Sequence, residues 1–133
     1  MSGCYLRISG RDFDGPAQAA ALGLPIDGSW RRGDPRSETK AHRSGGLRLR
    51  VSGQDGGNVP GQIENALTFL SRHQDKLTLL MARPDVETAL LDFSWDVPTN
   101  GTVTWNRWPP ALCKLCGELG VAIEATVYVT DPR

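Results

Sequence analysis

Cys113 and Cys116 close the four-residue run Cys113-Lys114-Leu115-Cys116, a spacing used by structural zinc sites and by redox pairs. A structural zinc site needs four ligands. No second pair exists, and Cys4, His42 and His73 are scattered along the chain. A redox pair needs a thioredoxin-like strand ahead of its helix and an exposed first cysteine. On a helical wheel Cys116 instead falls in the stripe of Leu112, Leu115 and Leu119, with Cys113 at its edge. Cysteine there packs as a small hydrophobe. His42 falls in a loop, and His73 falls near the end of a helix, where a favourable dipole interaction is reason enough for it. No Gly-x-Ser-x-Gly run supplies a nucleophile. No catalytic residue, metal or cofactor is expected.

The arginines are the next chemistry-bearing group. Arg31, Arg32, Arg36, Lys40, Arg43, Arg48 and Arg50 stand against Asp34 and Glu38 alone, an excess of five positive charges (seven minus two). The chain as a whole has a formal net charge of zero, so the rest of it carries the matching acid. Such a segment fits an acidic partner, a phosphate or a nucleic acid. It equally fits a solvated loop paired with acids of its own domain. No aromatic RNA-binding motif accompanies it, so nucleic acid is not expected. The glycines at 53, 56, 57 and 61 lie near a helix start, where a phosphate could bind. No Walker lysine follows, which excludes a P-loop. Trp95, Trp105 and Trp108 read either as an interface or as packing between a hairpin and the last helix, with Trp108 the most exposed of the three.

The elements that must position these residues follow from periodicity. Cys4, Leu6 and Ile8 alternate with Tyr5, Arg7 and Ser9, giving a first strand. Asp14 and Pro16 open a helix over Ala17 to Leu22, which Gly23 ends. Residues 24–45 are a long basic loop with a short strand around Trp30, and are the segment where order is least expected. Leu47, Leu49 and Val51 make a second strand. Pro60 opens an amphipathic helix with Ile63, Ala66, Leu67 and Leu70 on its inner face and Asn65 on its outer one. Leu77 to Ala82 reads as a strand, as does Ala89 to Val97. Pro98-Thr99-Asn100-Gly101 turns into Thr102 to Trp105 as a hairpin. A helix over Leu112 to Leu119, a cap at Gly120 and a strand over Val121 to Val129 close the chain. That last strand is expected inside the sheet.

With 133 residues, 39% of them hydrophobic, the chain has room for one domain, 1–133, and one core. No apolar run approaches the roughly 20 residues that span a bilayer, so no membrane contact is expected. An odd cysteine count and the absence of a visible signal peptide place it in a reduced, cytoplasmic setting. The expected fold is α+β. It is a ferredoxin-like sandwich with a mostly antiparallel sheet, helices on one face and an added hairpin.

Asp12-Phe13-Asp14-Gly15-Pro16, Leu22-Gly23-Leu24-Pro25 and Trp30-Arg31-Arg32-Gly33-Asp34, with the closing Leu119-Gly120 and the strand bearing Tyr128, give a pattern over nearly the whole chain. It resembles the bacterial domain-of-unknown-function family numbered forty-two seventy-nine. The resemblance implies a small bacterial α+β domain and transfers no activity or catalytic residue.

Three functions are carried forward. The first is a non-enzymatic domain acting by protein–protein contact or self-association, of the antitoxin or immunity type. The second is a binding module for a small anionic ligand, using the basic loop, Arg48 and Arg50. The third is an enzyme using Cys113 or a histidine. Candidate contact residues are Tyr5, Arg7, Arg31, Arg32, Arg48, Arg50, Trp108 and Tyr128. A ferredoxin-like order would make the first and last strands neighbours and bring Arg7 to Glu124 on the polar face.

Overall fold

The middle strand of the sheet is β1 (Gly3–Gly10), and both of its neighbours run antiparallel to it. The structure is a computed structural model that describes residues 3–54, 58–99 and 105–130. On one side of β1 lies β3 (Gly45–Ser52), on the other β4 (Thr88–Pro98). β2 (Gly28–Trp30) pairs antiparallel with the far side of β3. β5 (Ala122–Thr130) pairs parallel with β4, giving the order β2-β3-β1-β4-β5 and a mixed, open sheet. The alternation read from sequence sets its two faces. Leu6 sits between Leu49 and Leu91 on the inner face, and Arg7 sits between Arg48 and Leu90 on the outer one. The β1–β3 register slips between Cys4 and Tyr5, where Ser52 and Arg50 stand opposite and Val51 is the extra residue.

Among the described residues four helices cover the inner face. α1 (Gly15–Leu22) is capped by the Asp14 carboxylate, which accepts the Ala17 N–H at 3.1 Å. α2 (Val59–Arg72) and α3 (Gln74–Met81) follow one another around His73, and α4 (Pro110–Leu119) carries the crossover from β4 to β5. Gly120 takes the left-handed conformation (φ 75°) that ends α4 and turns the chain into β5. One core joins all of this. Leu22, Leu70, Leu77, Leu80, Leu112 and Leu119 from the helices pack on Leu6, Ile8, Leu47, Leu49, Leu91 and Phe93 from the strands. Each fully buried leucine contributes roughly 1.5–3 kcal/mol from the transfer of its surface out of water.

The structure corrects the sequence reading in four places. Residues 77–82 are not a strand: Gln74–Met81 is helical, with Leu77 and Leu80 buried three apart while Leu79 is 75% exposed. A short apolar run fits both periods, and the chain takes the helix because the Leu77 N–H reaches back to the His73 carbonyl at the end of α2. A ferredoxin-like order would set the first and last strands side by side. Here β1 lies between β3 and β4, and β5 pairs with β4 alone in the sheet order. Among the described residues β5 is consequently an edge strand and not an internal one. The loop of residues 31–44 is organised: Pro35 and Ala41 form a bridge, and Gly33 and His42 are tied through backbone hydrogen bonds. Of the expected hairpin over Pro98 to Trp105, residues 100–104 lie outside the described residues. Among the described residues no helix is long and apolar enough to cross a membrane.

Candidate functional site: an arginine-lined basin on the open sheet face

Among the described residues helices cover the inner face only, and the outer face of β1, β2 and β3 is left to side chains and to the 31–44 loop. Arg7 and Arg48 are direct partners across β1 and β3 on this face. Like charges placed opposite one another repel. Each guanidinium has its own carboxylate. Arg7 lies 3.5 Å from Asp92 on β4, and Arg48 Nε lies 2.7 Å from Asp27. Asp92 is buried and also accepts a hydrogen bond from the Thr126 hydroxyl at 2.9 Å. Arg48 stands over the Tyr5 ring, 5.8 Å from its centroid, and Tyr5 is buried beneath it.

The loop then folds over this pair. Trp30 lies across Gly46, and a Cβ at that glycine would come within 2.6 Å of the indole, so the strand needs glycine there. His42 stacks on Trp30 with ring centroids 4.7 Å apart and planes 17° apart. The result is a basin of about 860 Å³. Its floor is Arg7, Ser9 and Arg48, its wall is Trp30 and His42, and Arg36 and Arg43 stand on its rim. Among the described residues Asp34 is the one carboxylate lining it, and that group already accepts the Arg31 N–H at 2.8 Å. Arg36 and Arg43 are exposed and have no ion-pair partner among the described residues. Four guanidinium groups therefore surround one concavity, two of them uncompensated.

The candidate residues read from the sequence divide. Arg7 and Arg48 meet in the basin. Arg31 and Arg32 do not: they turn to the α1 end of the sheet and pair with Asp14 at 3.1 Å and Asp12 at 3.3 Å. Arg50 gives its Nε–H to the Ser52 carbonyl and lies outside the basin. Tyr128 sits on β5, separated from β3 by two strands. Arg7 pairs with Asp92 instead of Glu124, because β4 and not β5 adjoins β1. Trp108 is not the most exposed tryptophan. It packs on Phe93 at 5.6 Å and near Trp95 at 6.2 Å, whereas Trp105 is 75% exposed. The indole N–H groups of Trp95 and Trp108 find no acceptor among the described residues.

The thiols are placed for packing. Cys4 and Cys116 are buried, and burial pushes the Cys116 thiol up to about 11 and that of Cys4 higher still. Cys113 is exposed, 3.7 Å from the Trp108 carbonyl. Among the described residues no group of three His, Cys, Asp or Glu side chains could hold a metal ion. Nor does any hydrogen bond there join His42 to Ser9, Ser29 or Ser44, so no nucleophile and base are paired in the basin. Sequence reasoning included Arg36 and Arg43 in the basic excess without placing them. Their placement follows from the reversal at the Pro35–Ala41 bridge, which no periodic pattern marks.

No protein-family model, no curated protein and no solved structure matches the chain.

Proposed function

We propose that this chain is a binding module for a small anionic ligand bearing phosphate or adjacent carboxylate groups, held on the open face of the sheet. The observation that carries this is the pairing of Arg7 directly opposite Arg48, with Arg36 and Arg43 at the rim of the same basin. An anion between the guanidinium groups relieves their repulsion and gains charge-assisted hydrogen bonds, about twice as strong as neutral ones. Guanidinium suits a planar, bidentate contact with phosphate or carboxylate better than ammonium would. The fixed Trp30–His42 wall keeps the loop in place before binding, which lowers the ordering cost. The family resemblance brings no residue roles to this site.

Calorimetric titration with inorganic pyrophosphate at low ionic strength tests the reading. Saturable binding is expected, weakened at least tenfold in Arg36→Ala/Arg43→Ala, which is about 1.4 kcal/mol. Equal affinity in both proteins, or no binding by the wild type, would overturn it. Protein contact, the other leading function expected from the sequence, is favoured by the exposed edge of β5 and not by the basin.

A further inference from the structure

Sheet edges carry unpaired N–H and C=O groups, and folded proteins usually blunt them with short strands, lysine, proline or a bulge. The β2 edge is blunted, since that strand has only three residues. β5 is not. It runs for nine residues, Ala122–Thr130, with no lysine or proline, and its register with β4 is unbroken from Leu90–Ala122 to Pro98–Thr130. Its far half is also apolar and exposed: Val127 is 46% accessible, Tyr128 39% and Val129 67%. Among the described residues nothing pairs with its outer side.

We infer that this edge pairs with the same edge of a second copy of the chain, antiparallel, joining two five-stranded sheets into one continuous sheet. The strand's own sequence selects a second copy as the occupant. The register that uses all nine residues is centred on Thr126, on a two-fold axis. It sets Glu124 opposite the partner's Tyr128, Ile123 opposite the partner's Val129 and Ala125 opposite the partner's Val127. The strand's single charge therefore faces a phenol and never its own copy. Val127 meets an alanine and Val129 an isoleucine, apolar pairs of the kind that stabilises neighbouring strands. The arginine-lined basin lies on β1, β2 and β3, toward the other edge of the sheet, so the dimer neither covers nor completes it. Dimerisation and anion binding can thus fail separately.

Sedimentation equilibrium over a micromolar to millimolar concentration series reads the outcome. The wild type is expected to move from monomer to dimer. Val127→Lys/Val129→Lys is expected to raise the dimer dissociation constant at least tenfold with its circular dichroism unchanged. A second measurement leaves both valines in place. A nitroxide at Glu124→Cys, in a chain whose exposed Cys113 is serine, should give one short inter-spin distance by pulsed electron resonance. A wild type that stays monomeric throughout, a dimer unaffected by the lysines, or a spin-labelled dimer showing only long distances would each overturn the inference.

Discussion

Arg7 and Arg48 face each other across β1 and β3, and each is held by a carboxylate from a different neighbour, Asp92 from β4 and Asp27 from the segment before β2. The two supports differ. The Asp92 side chain is 7% exposed, whereas that of Asp27 is 35% exposed. Removing Arg7 leaves a buried carboxylate with, among the described residues, only the Thr126 hydroxyl to serve it, a loss on the order of 1–3 kcal/mol. Removing Arg48 strands a hydrated carboxylate and relieves a like-charge contact, worth about 0–1 kcal/mol in all. Arg7→Gln should therefore lower the urea midpoint clearly more than Arg48→Gln. Equal midpoints would mean that the burial of Asp92 carries no penalty.

The inner face of α2 gives a graded series. Leu70 is fully buried, and Leu70→Ala is expected to cost about 2–5 kcal/mol. Leu67, which the sequence pattern ranks as its equal, is only partly buried at the margin of the core and should cost less. Asn65, expected on the outer side, is instead half-buried, and its Nδ2–H reaches the Ser52 hydroxyl at 2.8 Å, so Asn65→Ala should cost roughly 0.5–1.5 kcal/mol. Denaturant melts of the three variants in the order Leu70, Leu67, Asn65 check this, and a reversed order would contradict the packing described.

The α1 cap predicts an acid-side dependence. The Ala17 N–H, with help from Arg31, holds the Asp14 carboxyl below its ordinary 3.8. A lowered folded-state pKa contributes stability that is present above the unfolded value and is lost as pH falls through the folded one. Asp14→Ala should thus melt below the wild type at neutral pH, and the gap should close as pH drops below that ordinary value. A gap independent of pH would assign the effect to something other than the cap's charge.

The thiols differ in reach. At pH 8 the folded chain should label at Cys113 alone, because Cys116 and Cys4 are buried and stay protonated. Mass spectrometry should find one adduct in buffer and three in denaturant. Rapid labelling of Cys116 in buffer would contradict its place in the core.

What the sequence made legible was whatever has a period or a terminal signal. β1, β3 and β4 show in their alternation, α1 in Asp14 and Gly23, α2 in its stripe, and α4 in its stripe and Gly120. Residues 77–82 read as a strand because Leu77, Leu79 and Leu80 satisfy either period, and only packing against the core decides between them. The position of β5 is not legible in the sequence, because alternation reports two faces and is silent about edges. The arginines of the site were visible as an excess of charge. Their division between the basin and the α1 end depends on Gly33, Pro35 and Ala41 reversing the loop, and turn chemistry of this kind leaves no repeating mark.

The central claim, that an anion sits among Arg7, Arg48, Arg36 and Arg43, is tested most directly by amide chemical-shift mapping. The ¹⁵N-labelled chain would be titrated with inorganic phosphate, with chloride as the control. The account predicts saturable shifts confined to Arg7, Ser9, Ser29, Arg36, Arg43, Ser44 and Arg48, with no response in β5. Shifts centred on Arg31 and Arg32 at the α1 end, or the same shifts with chloride, would contradict it.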